Sequence, residues 1–161
     1  MFAGNIKIKN LCILSYTRIS SIDMYSLSGC DSLEKISIPQ SISKIGWYPF
    51  GGLYSIPYLK SLKEVTVEAG NLTCIPEGFD DTIQEIVDYP PVITSFGWRQ
   101  PSLRPKITIV RALYPPMIGV ISAFRGSGKI YVPDNSVDVY KTADAWKSIA
   151  DRIFPLSELH R

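Results

Sequence analysis

A short segment of the form charged, apolar, any residue, apolar recurs along this 161-residue chain and is its most restrictive feature. Clear copies begin at Lys35, Glu64, Lys106 and Lys129, and a weaker leading copy begins at Asn5. Two of them continue alike, reading Lys-Ile-Ser-Ile-Pro and Lys-Ile-Tyr-Val-Pro. Apolar residues that alternate with period two are typical of β-strands. The sequence therefore predicts one strand in each of several repeated units.

The spacing of these units is irregular but recognisable. Residues 11 to 30 align with residues 34 to 53 at a shift of 23, which places Ile13 on Ile36. The longest interval between clear copies leaves room for a degenerate unit within residues 80 to 105. Units of this length cannot bury their apolar edges alone, so neighbouring units are expected to stack as coils.

A second column supports the same interpretation, because a small or turn residue repeatedly precedes a large apolar one. These large residues are Leu27, Phe50, Phe79, Phe96 and Phe124. Stacked at one level, they would form a continuous apolar spine. We therefore expect a single domain over residues 1 to 161, with five or six β-rich coils up to about residue 133.

The pattern changes after Pro133, where residues 134 to 161 carry helical spacing. Trp146, Ile149 and Ile153 fall on one face, and Tyr140 lies a few residues before them. A stack of coils leaves its last apolar face open, and large aromatic side chains can cover it. This segment is predicted to be a small helical C-terminal cap.

The unit from Ile22 to Gly46 resembles the BspA-like leucine-rich repeat, with its Leu-x-x-Ile-x-Ile-Pro strand and Ile-Gly turn. The tail from Tyr131 to Leu159 resembles the C-terminal segment of such proteins from Bacteroides-type gut bacteria and their phages. The resemblance implies a mainly β, right-handed leucine-rich-repeat solenoid with short helices. It also implies surface adhesion or protein recognition, with no catalytic residues to carry over.

Composition and charge give little indication of a partner. Seventeen basic and fifteen acidic residues leave a net charge of +2 without a block of like charge, which argues against nucleic-acid binding. The N-terminal apolar run is too short for a signal peptide or a membrane span. Because family members are commonly exported, we expect either a cytoplasmic or phage-borne version or a processed cell-surface form. Three cysteines, Cys12, Cys30 and Cys74, are predicted to be buried free thiols.

No set of residues points to catalysis, a cofactor or a metal. His160 is the only histidine and lies next to the C-terminus, which argues against a histidine-dependent triad. The glycines around Gly126 lack the flanking residues of a phosphate-binding loop and predict a turn. Asp80, Asp81 and Asp88 lack calcium-loop spacing and are expected in solvated turns.

Two candidate binding surfaces remain. The first is the outward side of the predicted sheet, where residues alternate with the buried ones: Lys35, Ser37, Glu64, Thr66, Lys106, Thr108, Lys129 and Tyr131. The second is a set of aromatic residues in segments longer than the repeat requires: Trp47, Tyr48, Tyr54 and Trp98. For each surface a purely structural role is the alternative, namely a solvated sheet or packing between coils.

Two functions are consistent with these surfaces. The first is a non-enzymatic, adhesin-like module that binds a protein or glycan. The second is a structural component, such as a virion or tail-associated phage protein, that forms a homo-oligomer or a fixed assembly. The repeat is compatible with both.

Overall fold

The computed structural model describes residues 9–12, 19–51, 59–68, 70–97, 104–118 and 126–160. The protein is mainly sheet with a few short helices, as the sequence predicts. The strands are β1 (Asn10–Cys12), β2 (Ser21–Ile22), β3 (Lys35–Ile38), β4 (Lys44–Ile45), β5 (Glu64–Val67), β6 (Cys74–Ile75), β7 (Ile86–Tyr89), β8 (Ser95–Phe96), β9 (Ile107–Val110), β10 (Lys129–Val132) and β11 (Ile153–Pro155).

Seven of these strands form one parallel sheet, in the order β1-β3-β5-β7-β9-β10-β11. The order follows the chain, and the offset between paired residues is 29 from β3 to β5, 22 from β5 to β7 and 21 from β7 to β9. The stretch predicted to hold a degenerate unit thus contains a complete strand, β7. Parallel neighbours require such long connections, because the chain must return to the same end of the sheet.

Alternate residues of each strand point to the buried side of the sheet, where they line up in rows across the strands. Ile36, Val65, Val87, Thr108 and Ile130 are successive partners on the buried side. At the first strand the structure pairs Leu11 with Ile36, so the predicted alignment of Ile13 with Ile36 is wrong. The shift of 23 does hold on the next strand pair, where β2 and β4 align.

Four shorter strands, which we call the return strands, lie in two separate parallel pairs, β2 with β4 and β6 with β8. Within each pair the residue that follows the later strand donates its amide to the earlier one. The Gly46 amide donates to the Ile22 carbonyl at 2.7 Å, and the Gly97 amide donates to the Ile75 carbonyl at 2.7 Å.

The predicted spine is present in the core. Leu27, Phe50, Phe79 and Phe96 are all buried in one hydrophobic cluster, and Phe124 lies outside the described residues. Ring contacts continue the spine, since the Phe50 and Phe79 centroids are 5.4 Å apart. Tyr89 bridges Phe79 and Phe96 at 6.0 and 5.2 Å. Such tilted and edge-on pairs are the preferred arrangement of aromatic rings.

The C-terminal segment contains the predicted short helices. A 3-10 turn over Asp134–Ser136 leads into α1 (Val137–Thr142), and further 3-10 turns cover Lys147–Arg152 and Leu156–Glu158. Between them β11 adds the last strand of the main sheet, so this segment extends the sheet as well as covering the core.

Two aromatic side chains anchor this segment. The Trp146 indole is buried against Phe96 and donates from Nε1 to the Pro116 carbonyl at 3.1 Å. The Tyr140 hydroxyl donates to the Ala112 carbonyl at 2.9 Å, and burial raises the pKa of this phenol. Because each buried polar atom has a partner, these large residues are buried without leaving an unpaired donor.

Several smaller predictions have clear outcomes. Cys30 is buried as expected, but Cys74 is exposed, and the side chain of Cys12 lies outside the described residues. Asp80 and Asp88 are buried, so the expectation of solvated turns is wrong for both. Within the described ranges, none of the helices is long and apolar enough to cross a membrane.

Candidate functional site on the outer face of the sheet

The side of the main sheet that faces away from the hydrophobic cluster, which we call the outer face, carries two rows of side chains. The first row is Lys35, Glu64, Ile86, Ile107 and Lys129. The second row is Ser37, Thr66, Asp88, Ile109, Tyr131 and Phe154. The first row becomes apolar at β7, with Lys129 as a charged residue at its end, and the second row becomes apolar after Asp88, at β9. The outer face therefore has a polar half on β3 and β5 and an apolar half on β7 to β11.

The polar half is exposed and carries ion pairs between the neighbouring strands β3 and β5 and the residues just before them. Lys35 Nζ lies 2.9 Å from Glu64 Oε2, and Lys63 Nζ lies 3.0 Å from Glu34 Oε2. The sign of the charge alternates in both directions across these four residues. The hydrogen bond from Lys63 holds the pKa of the Glu34 carboxyl below its usual value.

Exposed ion pairs of this kind contribute little to stability, because water and salt screen them. They do fix where positive and negative charges stand on the surface. Complementary charge patterns select partners and orient their approach. The polar half is thus suited to recognition more than to holding the fold together.

The apolar half is closed by its own side chains. Ile109 is completely buried although it lies outside the main hydrophobic cluster, and Tyr131 beside it is also buried. The Tyr131 and Phe154 rings are 5.9 Å apart, and Lys129 Nζ lies 5.3 Å from the Phe154 centroid. A cation over a ring face adds a modest attraction.

One ion pair marks the boundary between the two halves. Arg111 donates from Nε and Nη2 to the two carboxylate oxygens of Asp88, at 2.8 and 2.7 Å. This bidentate bond raises the pKa of Arg111, and it explains how a carboxylate is tolerated at a buried position. Asp88 is partnered and structural in this arrangement.

The structure places the eight predicted face residues in three groups. Lys35, Ser37, Glu64 and Thr66 lie together on the polar half, as predicted. Lys106 and Lys129 are exposed, but Lys106 precedes β9 and lies outside the strand rows, where it pairs with Glu85 at 2.8 Å. Thr108 and Tyr131 are buried and cannot offer a binding surface.

The predicted outward position of Thr108 is wrong, because the register of β9 differs by one residue from the predicted register. Lys129 pairs with Ile107, so Thr108 joins the buried row beside Ile130. A shift of one residue moves every side chain of a strand to the opposite face. Within the described part of the chain, the buried Thr108 hydroxyl has no hydrogen-bond partner.

The loop aromatics do not form one surface. Trp47 is 57% exposed, whereas Tyr48 is buried, so its predicted role as an exposed anchor is wrong. The Tyr48 ring packs on Gly78, and its hydroxyl donates to Glu77 Oε1 at 2.8 Å. A Cβ at position 78 would lie 2.1 Å from this ring, so the contact requires glycine. Tyr54 and Trp98 lie outside the described residues.

Sequence reasoning missed a second surface, which lies at the return strands. A cleft of about 400 Å³ lies between two return strands and is lined by residues that include Lys44, Trp47, Cys74 and Pro76. One feature of the sequence could have indicated it. Gly46 follows β4 and Gly97 follows β8, whereas Pro76 follows β6 at the same place.

Among the described residues, no three His, Cys, Asp or Glu side chains come together in a way that could hold a metal ion.

No family model matches this chain, and none of the curated proteins is significantly similar to it.

Proposed function

We propose that this chain is a non-enzymatic recognition module that binds a protein or a glycan through the polar half of its outer face. We further propose that its coils form a right-handed, leucine-rich-repeat-type solenoid of the BspA-like kind. The regular parallel sheet in chain order supports this architecture, because successive parallel strands are almost always joined with a right-handed crossing.

One observation carries the functional proposal, the contrast between the two halves of the outer face. On the apolar half, the protein's own side chains fill the surface, since Phe154 packs beside Tyr131 and Arg111 binds Asp88. On the polar half, Lys35 and Thr66 are exposed within a regular pattern of alternating charge. A flat, rigid and charge-patterned strand surface is typical of a binding face, since it offers contacts at little cost in conformational entropy.

The test is a parallel screen of a glycan array and a displayed random-peptide library. It uses the wild-type chain and the triple variant K35A/E64A/T66A, which removes the polar half without touching the core. A matched control, D144A/K147A/S148A, removes a similar set of exposed side chains from the C-terminal segment.

Binders that are selected by the wild type and the control but lost by the face variant are the expected result. Equal binding by all three proteins would reject the polar half as the recognition surface. Far-ultraviolet circular dichroism on each variant separates lost binding from lost folding.

An assembly role is the second candidate, and one observation favours it. Leu113, Tyr114 and Met117 are 54%, 78% and 72% exposed within five residues of sequence. Neighbouring exposed apolar side chains mark protein contact sites. Light scattering at high concentration is expected to show an oligomer that the variant L113S/Y114S/M117S dissociates, and a monomer for both proteins would reject this role.

A further inference from the structure

The cleft of about 400 Å³ between β4 and β6, which we call the return cleft, has walls that are bonded to each other. The Tyr48 amide donates to the Glu77 carbonyl at 2.9 Å, and the Tyr48 hydroxyl donates to Glu77 Oε1 at 2.8 Å. The Tyr48 ring also packs on Gly78, whose φ of +72° lies in the left-handed region that favours glycine. A ligand therefore meets a cleft that is already formed, which lowers the entropic cost of binding.

Trp47 is held at this cleft by its backbone neighbours and yet remains exposed. Before it, the Gly46 amide donates to the Ile22 carbonyl at 2.7 Å, and after it the Tyr48 amide is bonded to Glu77. The indole is nevertheless 57% exposed. Within the described part of the chain it makes no ring contact, and its Nε1 has no hydrogen-bond partner. An aromatic side chain that is fixed in place and left uncovered is typical of an anchor for a ligand.

The polar side chains that line the return cleft with this indole can both donate and accept hydrogen bonds. Lys44 is exposed and forms no ion pair with another described residue, so its ammonium is available as a donor. The exposed Thr73 hydroxyl donates and accepts, and the Glu77 carboxylate accepts. Lys44 and Glu77 are the two charged residues of the lining and have opposite signs. The cleft therefore has no net charge that would select an ionic ligand.

One open aromatic face beside mixed donors and acceptors fits the chemistry of a neutral sugar. A hexopyranose ring has a face of C–H groups, which packs on an aromatic ring, and an edge of hydroxyls, each of which donates and accepts. Ile45 and Leu72 are buried lining residues and add apolar contact. The volume of about 400 Å³ falls within the range of about 300–1,000 Å³ that is usual for small-molecule sites.

We propose that the return cleft binds one neutral hexose unit of a glycan, stacked on the indole of Trp47. Lys44 donates to a hydroxyl of this sugar, and Thr73 exchanges a hydrogen bond with another. The site goes beyond the proposed function, because the return cleft does not include the outer face. Either site can therefore fail without the other.

The probes are methyl β-D-glucopyranoside and methyl β-D-galactopyranoside, which are neutral and present a C–H face. The charged counterpart is methyl β-D-glucuronide, which differs from the glucoside by a carboxylate. Titration by saturation-transfer difference NMR gives the dissociation constant and shows which sugar protons contact the protein. We expect at least one neutral glycoside to bind at about 10 mM or below, as suits a single sugar unit. The protons of one ring face should receive the strongest transfer, and the glucuronide should bind no more tightly than the glucoside.

Variants at the anchor residue test the stacking contact. W47A should weaken binding by about tenfold or more, because it removes the aromatic face. W47F keeps an aromatic face and should stay within about threefold of the wild type. Because the indole is exposed, both variants are expected to fold, and far-ultraviolet circular dichroism checks this.

Variants at the polar side chains locate the sugar within the cleft. K44A and T73A should each weaken binding by about two- to fivefold, since each removes one hydrogen bond. The matched control is V139A, which trims an exposed apolar side chain of α1, 44% exposed, and should change nothing.

Three results would overturn the proposal. These are no transfer to either neutral glycoside, equal binding by the wild type and W47A, and tighter binding of the glucuronide than of the glucoside. A glycan that W47A loses and K35A/E64A/T66A keeps would support the return cleft. A glycan that W47A keeps and K35A/E64A/T66A loses would assign sugar binding to the outer face and reject the cleft.

Discussion

The two halves of the outer face share one backbone plan and differ in what covers them. Thr66, Asp88, Ile109 and Tyr131 are successive partners in a single row. Thr66 is exposed, whereas Ile109 is completely buried. The strand pattern is the same, but at the C-terminal end β11 adds Phe154 to the row beside Tyr131. An outward strand position is thus a surface position only where the neighbouring side chains leave it open.

The C-terminal segment should therefore be the most sensitive part of the chain. We expect Trp146→Ala to destabilise the protein by about 3–5 kcal/mol, because it removes a buried indole and its hydrogen bond to Pro116. Urea denaturation gives the free energy of unfolding. Trp47→Ala, at an exposed indole, is the control and should cost about 0.5 kcal/mol or less. Similar losses for both would mean that the segment does not seal the core.

Two residues of the second row, Ile109 and Thr66, test the difference between the apolar half and the polar half directly. Ile109→Ala is expected to cost about 2–4 kcal/mol, since the buried side chain leaves a cavity. Thr66→Ala occupies the same row on the polar half and should change stability by about 0.5 kcal/mol or less. Equal effects in thermal or urea unfolding would show that the apolar half is as open to solvent as the polar half.

The register of β9 predicts a stabilising substitution. Thr108→Val keeps the shape of the side chain and removes a buried hydroxyl for which the described structure shows no partner. We expect a gain of about 1 kcal/mol in the free energy of unfolding. The control is Thr66→Val, which should have little effect because this threonine is exposed. A loss of stability with Thr108→Val would contradict the observed register.

The smallest expected effect is a pH dependence in the C-terminal segment. The Ser157 amide donates to Asp134 Oδ1 at 3.0 Å and lowers the pKa of that carboxyl. Because the folded pKa is below the unfolded one, this stabilisation is present above about pH 4 and is lost as pH falls through the folded value. Stability measured from pH 6 downwards should fall more steeply for the wild type than for Asp134→Asn. Parallel curves would mean that the contact is broken in solution.

Much of the fold could be predicted from local pattern. The strands beginning at Lys35, Glu64 and Lys129 are found where the period of two places them. On β3, β5 and β10 the period of two also identified the buried positions, such as Ile36, Val65 and Ile130, because alternate side chains of a strand point to the same face. The aromatic spine followed from its repeated spacing, since residues at one level of stacked units meet.

The candidate site was predicted only in part. Lys35, Ser37, Glu64 and Thr66 share the polar half, because a polar residue between two buried ones must point outward. The pattern could not show that β9 starts one residue later, since Thr108 is compatible with either face. It also could not show that Tyr131 is buried, because Phe154, whose ring packs beside it, comes from a segment more than 20 residues later in the chain.

The sequence by itself determined the repeated strands, the buried columns and the helical character of the C-terminal segment, because these depend on local periodicity. Only the tertiary structure decided which outward positions remain open, since that depends on contacts between residues far apart in the chain. The same holds for Tyr48, whose ring is buried because Gly78, thirty residues later in the chain, leaves room for it.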